Sequence, residues 1–193
     1  QNIFEERYKV NGSSIGIEGD KIILNLSLTM PKEVKELDEN KVVGVDLGLA
    51  IPAMCAINTN SYVKKSIGNI DDFLRVRTKI RSERRRLQKN LKQTSGGHGR
   101  AKKLKALERF KKYEKHWVQN YNHFVSKEVV NFAIKNNAKY INIENLEGYG
   151  KEVKNEFILS NWSYYQLQQY ITYKAEKHGI VVRKINPYHT SQI

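Results

Sequence analysis

The chain has 193 residues, which is enough for one sizeable domain or for one domain and part of another. Its 34 lysines and arginines against 20 aspartates and glutamates give a formal net charge of +14, which favours a polyanionic partner. The single cysteine, Cys55, excludes an internal disulfide and a thiolate zinc site within the chain. No apolar run reaches the roughly 18 residues of a membrane span. We therefore expect a cytoplasmic protein without a membrane anchor.

The first forty residues show strand periodicity. Apolar residues at Ile22, Leu24, Leu26 and Leu28 alternate with polar ones, which predicts a β-strand with one buried face. With the residues before it, this strand predicts a hairpin over 13–30. The charged stretch that follows predicts a linker.

A strand meander and a helical hairpin come next. Residues 41–67 predict three short strands. Residues 70–93 and 100–136 predict two long helices, because the glycine-rich stretch between them suits a loop. The second half of the second helix carries an apolar stripe at helical spacing, which predicts packing on a sheet. The remainder of the hairpin is expected to project from that base.

The last part of the chain predicts a strand, a helix and another strand. The strands cover 139–146 and 180–185, and the helix covers about 163–178, with Ser160 or Asn161 as its N-cap. Strands that alternate with helices after a meander indicate an α/β layer architecture.

The positive charge is concentrated in one block. Residues 71–120 hold 17 basic and 5 acidic side chains, a net charge of +12, whereas the other 143 residues have a net charge of only +2. Blocks of like charge often form a solvated helix face, and that interpretation stays open. Acidic partners such as Glu83, Glu108 and Glu114 are few, so we favour contacts to phosphates. The residues expected to bind nucleic acid are Arg75, Arg77, Arg81, Arg84, Arg85, Arg86, Lys89, Arg100, Lys102, Lys103 and Arg109.

Two acidic residues occupy unusual positions in predicted strands. Asp46 lies in an almost wholly apolar run, where a buried carboxylate needs a compensating partner, and Glu144 follows the strand residues 140–143. If the two strands are neighbours, both acids emerge at one edge of the sheet and suit Mg²⁺, which takes few protein carboxylates. A hydrogen-bonded Asp46 and a solvated Glu144 remain the alternative.

Several segments in order resemble a known family. They are VGVDLG at 43–48, IENL at 143–146, NWSYYQLQQ at 161–169 and NPYHTSQ at 186–192. This series resembles the RuvC nuclease domain of TnpB transposon-associated proteins and type V CRISPR-associated nucleases. The loop GGHGR at 96–100 is most similar to the miniature type V-F members.

The resemblance implies a fold and a domain division. The expected fold is α/β: an RNase H-like (RuvC) mixed sheet with helices and a projecting basic helical hairpin, preceded by a β-hairpin of a β-rich wedge domain. The wedge end would cover 1–40 and the nuclease domain 41–193, and the basic hairpin would be an insertion over 69–116.

The resemblance also implies an activity. Asp46 would be the first catalytic aspartate and Glu144 the catalytic glutamate, and both would bind Mg²⁺ or Mn²⁺. Members of the family are prokaryotic RNA-guided endonucleases that cut target DNA by a two-metal mechanism after a guide RNA pairs with it. The miniature members work as two copies on one guide RNA, so a homodimer is compatible with the resemblance.

In the family, the segment matched by 190–192 leads into a Zn²⁺ ribbon of paired cysteines and a third catalytic aspartate. Because this chain ends at Ile193, we expect the ribbon and the third acid to lie outside it. The chain alone is therefore expected to be weakly active or inactive. The sequence leaves open whether the nuclease is a CRISPR effector or is transposon-encoded.

Two other functions are compatible with parts of the pattern. A non-catalytic nucleic-acid-binding module of RNase H-like fold would keep the basic block and lack cleavage. A sugar-kinase or actin-like ATPase also opens with a strand like that around Asp46, but there Gly-Thr or Ser follows for phosphate contacts. Here Leu49 and Ala50 follow, and the basic block has no role in such an enzyme.

Overall fold

The computed structural model describes residues 3–5, 7–31, 36–48, 50–93, 96–145 and 164–186. The elements within these ranges follow the predicted order. They are β1 (Lys9–Glu18), β2 (Lys21–Thr29), β3 (Asp38–Asp46), β4 (Ala53–Ile57), β5 (Asn60–Ile67), α1 (Ile70–Lys92), α2 (His98–Lys135), β6 (Ala138–Glu144), α3 (Tyr164–Lys177) and β7 (Val181–Ile185).

The predicted N-terminal hairpin is confirmed, but its predicted buried face is wrong. Strands β1 and β2 pair antiparallel around Gly19, whose φ of 63° suits the tight turn. The two strands form a separate two-stranded sheet. Ile17 and Ile22 are 82% and 79% exposed, because among the described residues nothing packs on the apolar face of the hairpin.

The remaining strands form one mixed sheet in the order β5-β4-β3-β6-β7. The predicted meander is confirmed, since β3, β4 and β5 pair antiparallel through short turns. Strand β6 pairs parallel with β3, and β7 pairs parallel with β6. Parallel neighbours require long crossovers, which α1 with α2 and then α3 supply. A mixed α/β architecture is thus confirmed.

The main core lies between one face of this sheet and the helices α2 and α3. Alternate strand residues point into it, including Val43, Val45, Ile141 and Ile143, together with Val125, Val129, Leu167 and Ile171 of the helices. Burying one such aliphatic side chain stabilises the fold by about 1.5–3 kcal/mol. Cys55 of β4 is wholly buried in the same layer, and burial raises the pKa of its thiol to about 12. The thiol is therefore protonated at neutral pH and shielded from solvent.

An aromatic cluster joins the base of the helical hairpin to the sheet. Phe73 of α1 contacts Trp117 and Tyr121 of α2, with ring centroids 4.9 and 5.5 Å away. The hydroxyl of Tyr121 accepts a hydrogen bond from the amide of Asn69 at 3.0 Å and donates one to its carbonyl at 3.1 Å. Asn69 also caps α1, because its side chain accepts from the Asp71 amide at 2.8 Å. The start of α1 is therefore tied to α2.

The C-terminal unit has its predicted elements. Helix α3 ends before Gly179, whose φ is 72°, and β7 follows. The predicted N-cap at Ser160 or Asn161 lies outside the described residues. Within the described parts of the chain, no helix has the length and apolar character needed to cross a membrane.

Candidate metal site and basic helical hairpin

The register of the sheet places Asp46 and Glu144 side by side. Strands β3 and β6 pair in parallel with Val45 opposite Ile143, and each acid is the next residue of its strand. Neighbouring strands lie about 4.8 Å apart. Val45 and Ile143 are buried under the helices, so the alternation of strand side chains puts both acids on the opposite, open face. The structure brings the two predicted acids together.

The predicted burial of Asp46 is wrong. Its neighbours Val45 and Leu47 are buried, whereas Asp46 itself is exposed on the open face. The apolar run around it belongs to the core face of β3 and gives no information about the environment of the acid. The position of Asp46 next to Glu144, rather than desolvation, is what marks the site.

A cleft of about 600 Å³ on the open face contains both acids. Small residues, Gly44 and Ala56, line the bottom of the cleft and leave space above the strands. A Cβ added at Gly44 would have one neighbouring atom within 4 Å, the Ala56 carbonyl oxygen at 4.0 Å. Asn142 lies on the same face and its Oδ1 is buried with no hydrogen-bond partner among the described residues. The cleft thus combines two carboxylates, an amide oxygen and space for a ligand.

These donors fit Mg²⁺ or Mn²⁺ better than a softer metal ion. Both acids present oxygen, the donor that hard divalent ions prefer, and the orphaned Asn142 Oδ1 adds a neutral oxygen nearby. No group of three His, Cys, Asp or Glu side chains suited to a metal occurs in the described ranges. A metal held by Asp46 and Glu144 would therefore keep positions open for water and phosphate oxygens.

One buried polar residue next to the site was not predicted from the sequence. The side chain of Gln168 in α3 is 1% exposed and its Nε2 donates to the backbone carbonyl of Glu144 at 2.6 Å. On the other side of β6, the amide of Asn145 donates to the carbonyl of Ile185 at 2.7 Å. The sequence contained a signal for its burial, because Gln168 lies four residues after Tyr164. That spacing places both residues on the same, apolar face of the predicted helix.

The basic helical hairpin contains an ion-pair network that the sequence did not suggest. Arg77 is 5% exposed, and its guanidinium donates to the Glu114 carboxylate at 2.7 Å. Arg84 donates to the other Glu114 oxygen at 2.8 Å. The expectation that the arginines lack acidic partners is wrong here. Arg77 joins α1 to α2 and does not face solvent, which corrects its predicted role as a nucleic-acid contact.

Three more of the predicted basic residues have partners in the chain. Arg100 donates to the Leu91 carbonyl at 3.0 Å and so binds the last turn of α1. Exposed pairs three residues apart join Arg75 to Asp72 at 3.5 Å and Arg86 to Glu83 at 2.8 Å. Such surface pairs contribute little to stability, about 0–1 kcal/mol, so they leave both arginines available to a ligand.

The remaining predicted cations lie along both helices of the hairpin. Lys103 is half-buried, whereas the others are exposed: Arg81, Arg85, Lys89, Lys102 and Arg109. The hairpin therefore presents the concentrated positive charge that the sequence predicted, although not from every residue named.

The fold thus combines a sheet face that carries two carboxylates with a strongly basic helical hairpin. This combination defines a class of α/β protein suited to polyanionic ligands. A model of the family described as Cas12f1-like, TNB domain, matches residues 164–193. The chain is 41% identical over 169 residues to the CRISPR-associated endodeoxyribonuclease Cas12f1 of Syntrophomonas palmitatica, covering 85% of this chain and 33% of that protein. It is 37% identical over 194 residues to the Cas12f1 of Sulfoacidibacillus thermotolerans, covering 98% and 45%.

A shorter relative matches over most of its own length. A TnpB-like protein of Methanocaldococcus jannaschii is 32% identical over 202 residues, covering all of this chain and 69% of that protein. Among solved structures, a Cas12f1-sgRNA-target DNA complex aligns with a TM-score of 0.78 and 28% identity, covering 99% of this chain and 39% of that one. The chain belongs to the TnpB/Cas12f family, as its sequence motifs predicted, and it spans less than half the length of the Cas12f1 relatives.

Proposed function

We propose that this chain is part of an RNA-guided DNA endonuclease and supplies two of the carboxylates of its catalytic centre. The observation that carries the proposal is the placement of Asp46 and Glu144 side by side on the open face of two parallel strands. Membership of a family whose curated members are named endodeoxyribonucleases supports it. The similarity to a Cas12f1 complex with sgRNA and target DNA supports a guide RNA and a target DNA as partners.

In this proposal Asp46 and Glu144 hold Mg²⁺ or Mn²⁺ through their carboxylate oxygens. When bound, a pair of such ions activates water and neutralises the charge that develops on a phosphodiester during hydrolysis. The two strands contribute rigidity, because an acid on a paired strand keeps its position without being ordered by the ligand. Because Gly44 and Ala56 have small side chains or none, a nucleic-acid strand has room to approach both carboxylates.

The proposal extends to the parts of the fold that the resemblance implied. Residues 41–193 would form an RNase H-like (RuvC) nuclease domain with the hairpin 69–116 inserted, and residues 1–40 would end a wedge domain. A third carboxylate and a Zn²⁺ ribbon would come from the remainder of a longer nuclease. This chain by itself would then be weakly active or inactive, and the complete nuclease would act in the prokaryotic cytoplasm, alone or as a homodimer.

The test is to substitute each acid in the full-length protein that contains this chain. Asp46→Ala and Glu144→Ala should each abolish Mg²⁺-dependent cutting of a guide-matched DNA and leave guide-RNA affinity within about twofold, since the phosphate contacts lie elsewhere. Glu176→Ala removes an exposed acid of α3 and is the matched control, which should cut normally. Normal cutting by Asp46→Ala would contradict the proposal.

A second candidate function is a non-catalytic nucleic-acid-binding module of RNase H-like fold. The basic hairpin supports it, because binding phosphates requires only the cations. It predicts tight, salt-sensitive RNA binding and no Mg²⁺-dependent cleavage by the full-length protein. The same cutting assay separates the two functions, because only the nuclease has an activity for Asp46→Ala to remove.

A further inference from the structure

A cleft of about 580 Å³ lies between the helices of the basic hairpin, on the side that also meets α3 through Gln166. We call it the basic cleft. Its charged lining is Arg77, Arg81, Arg84, Arg85, Lys111, Glu114 and Lys115.

The lining comes from one face of each helix. On α1 the residues recur at 77, 81, 84 and 85, and on α2 at 111, 114 and 115. Spacings of three, four and seven residues place side chains on a single helix face. The two faces therefore converge on one space, and their charges act together on whatever occupies it.

Glu114 supplies the one negative charge of this lining, and two arginines already share it. Its oxygens accept from Arg77 at 2.7 Å and from Arg84 at 2.8 Å. Arg85, Lys111 and Lys115 have no ion pair within the described part of the chain. Six cations against one carboxylate leave a net charge of +5 in the cleft, and a polyanion would relieve that repulsion.

The opposite side of the hairpin is different in character. There Arg75, Lys79 and Glu83 of α1 meet Phe110 and Tyr113 of α2, so the lining is partly apolar and includes an acid. The cleft lining is thus more strongly charged than the opposite side, where two cations accompany one acid.

We propose that the basic cleft is a phosphate-binding site that holds the backbone of a bound nucleic-acid strand. The Glu114 carboxylate fixes the Arg84 guanidinium, so this planar donor is held in place before a phosphate arrives. Arg85, Lys111 and Lys115 supply the flexible cations around it. The site rests on the proposed nucleic-acid function and contributes to affinity without reading sequence.

The test compares two triple variants with the same change in charge. Arg85→Gln/Lys111→Gln/Lys115→Gln neutralises the cleft, and Lys79→Gln/Lys92→Gln/Lys105→Gln neutralises exposed cations elsewhere on the same helices. Binding of the full-length protein to labelled 20-nucleotide RNA and DNA single strands is measured by anisotropy over a range of salt concentrations. Thermal melting of both variants confirms that they remain folded.

The cleft variant should lose about tenfold or more in affinity at 0.15 M salt, and its slope of log K against log salt should fall by about 2, since each lost phosphate contact removes about 0.7. The control should change by about twofold or less. The probe for which affinity is lost, RNA, DNA or both, shows which kind of nucleic-acid strand the cleft binds. Equal losses in the two variants, or none in the cleft variant, would overturn the site.

The cutting assay with Asp46→Ala keeps this site separate from the proposed function. If Asp46→Ala abolishes cutting and the cleft variant binds both probes normally, only the cleft proposal fails. If the cleft variant loses binding and Asp46→Ala cuts normally, only the assignment of the catalytic centre fails.

Discussion

Gln168 in α3 donates a hydrogen bond of 2.6 Å to the backbone carbonyl of Glu144, the acid that ends β6. The donor is buried, so this bond satisfies its amide and links α3 directly to the backbone of Glu144. Through this bond, helix α3 fixes the backbone from which the Glu144 carboxylate projects. Gln168 is therefore a positioning residue for the proposed metal site.

Replacing Gln168 by leucine should weaken metal binding. Gln168→Leu keeps the side-chain volume and removes the donor, and changes of this kind around metal ligands reduce affinity by about tenfold. Mn²⁺ affinity is measured by electron paramagnetic resonance, with the exposed Gln169→Leu as control. If Gln168→Leu lowers the melting temperature and leaves Mn²⁺ affinity unchanged, the bond supports the fold alone.

The Arg77–Glu114 pair should stabilise the helical hairpin. Glu114→Gln leaves the Arg77 guanidinium, whose side chain is 6% exposed, without its carboxylate. Breaking a buried pair in this way costs about 3 kcal/mol of unfolding free energy. Urea denaturation measures the change, and Glu108→Gln on the exposed side of α2 should alter stability by less than about 0.5 kcal/mol. Equal stability of the two variants would contradict the role of the pair.

Gly68 should not tolerate a side chain. Its φ is +79°, and a Cβ there would lie 2.7 Å from Tyr121 Oη and 2.9 Å from Pro52 Cγ. Gly68→Ala should therefore destabilise the fold by about 2 kcal/mol or more, from backbone strain and from displacement of Tyr121. Gly99→Ala is the matched control, because its Cβ would meet nothing within 4 Å and alanine favours a helix. If Gly68→Ala left the free energy of unfolding unchanged, Tyr121 and Pro52 would have to move aside at little cost, and the prediction would be wrong.

The ring of His123 stacks on Tyr170 with centroids 4.0 Å apart, and the pKa of this histidine is lowered from 6.5, first by burial and then by the charge of Lys174. Because the unfolded state then binds more protons, stability should decrease as pH falls through 6.5 towards the lowered pKa. His123→Phe keeps the stacking and cannot titrate. Melting temperatures at pH 7.5 and 5.5 should therefore differ more in the wild type. An equal difference in both proteins would contradict the effect.

Local periodicity predicted the elements closely and their burial less well. The first long helix was predicted over 70–93 and is observed at Ile70–Lys92. The apolar alternation in β2 correctly predicted a strand, yet Ile22 is 79% exposed. Alternation shows that one face of a strand is apolar, but it does not show which other element, if any, packs on that face. Asp46 shows the opposite error. It was expected to be buried because its neighbours are apolar, but those neighbours point to the other face of β3 and Asp46 is exposed.

The sequence by itself determined the order of elements, the concentration of charge at residues 71–120, the family, and Asp46 and Glu144 as candidate acids, because each depends on residues near one another in the chain. Only the tertiary structure decided that β3 and β6 are parallel neighbours, which places the two acids together. It alone showed that Arg77 is buried against Glu114, whereas Arg85, Lys111 and Lys115 of the same basic cleft are exposed. Strand pairing and helix docking join residues distant in the chain, and periodicity contains no information about which distant partner a face will meet.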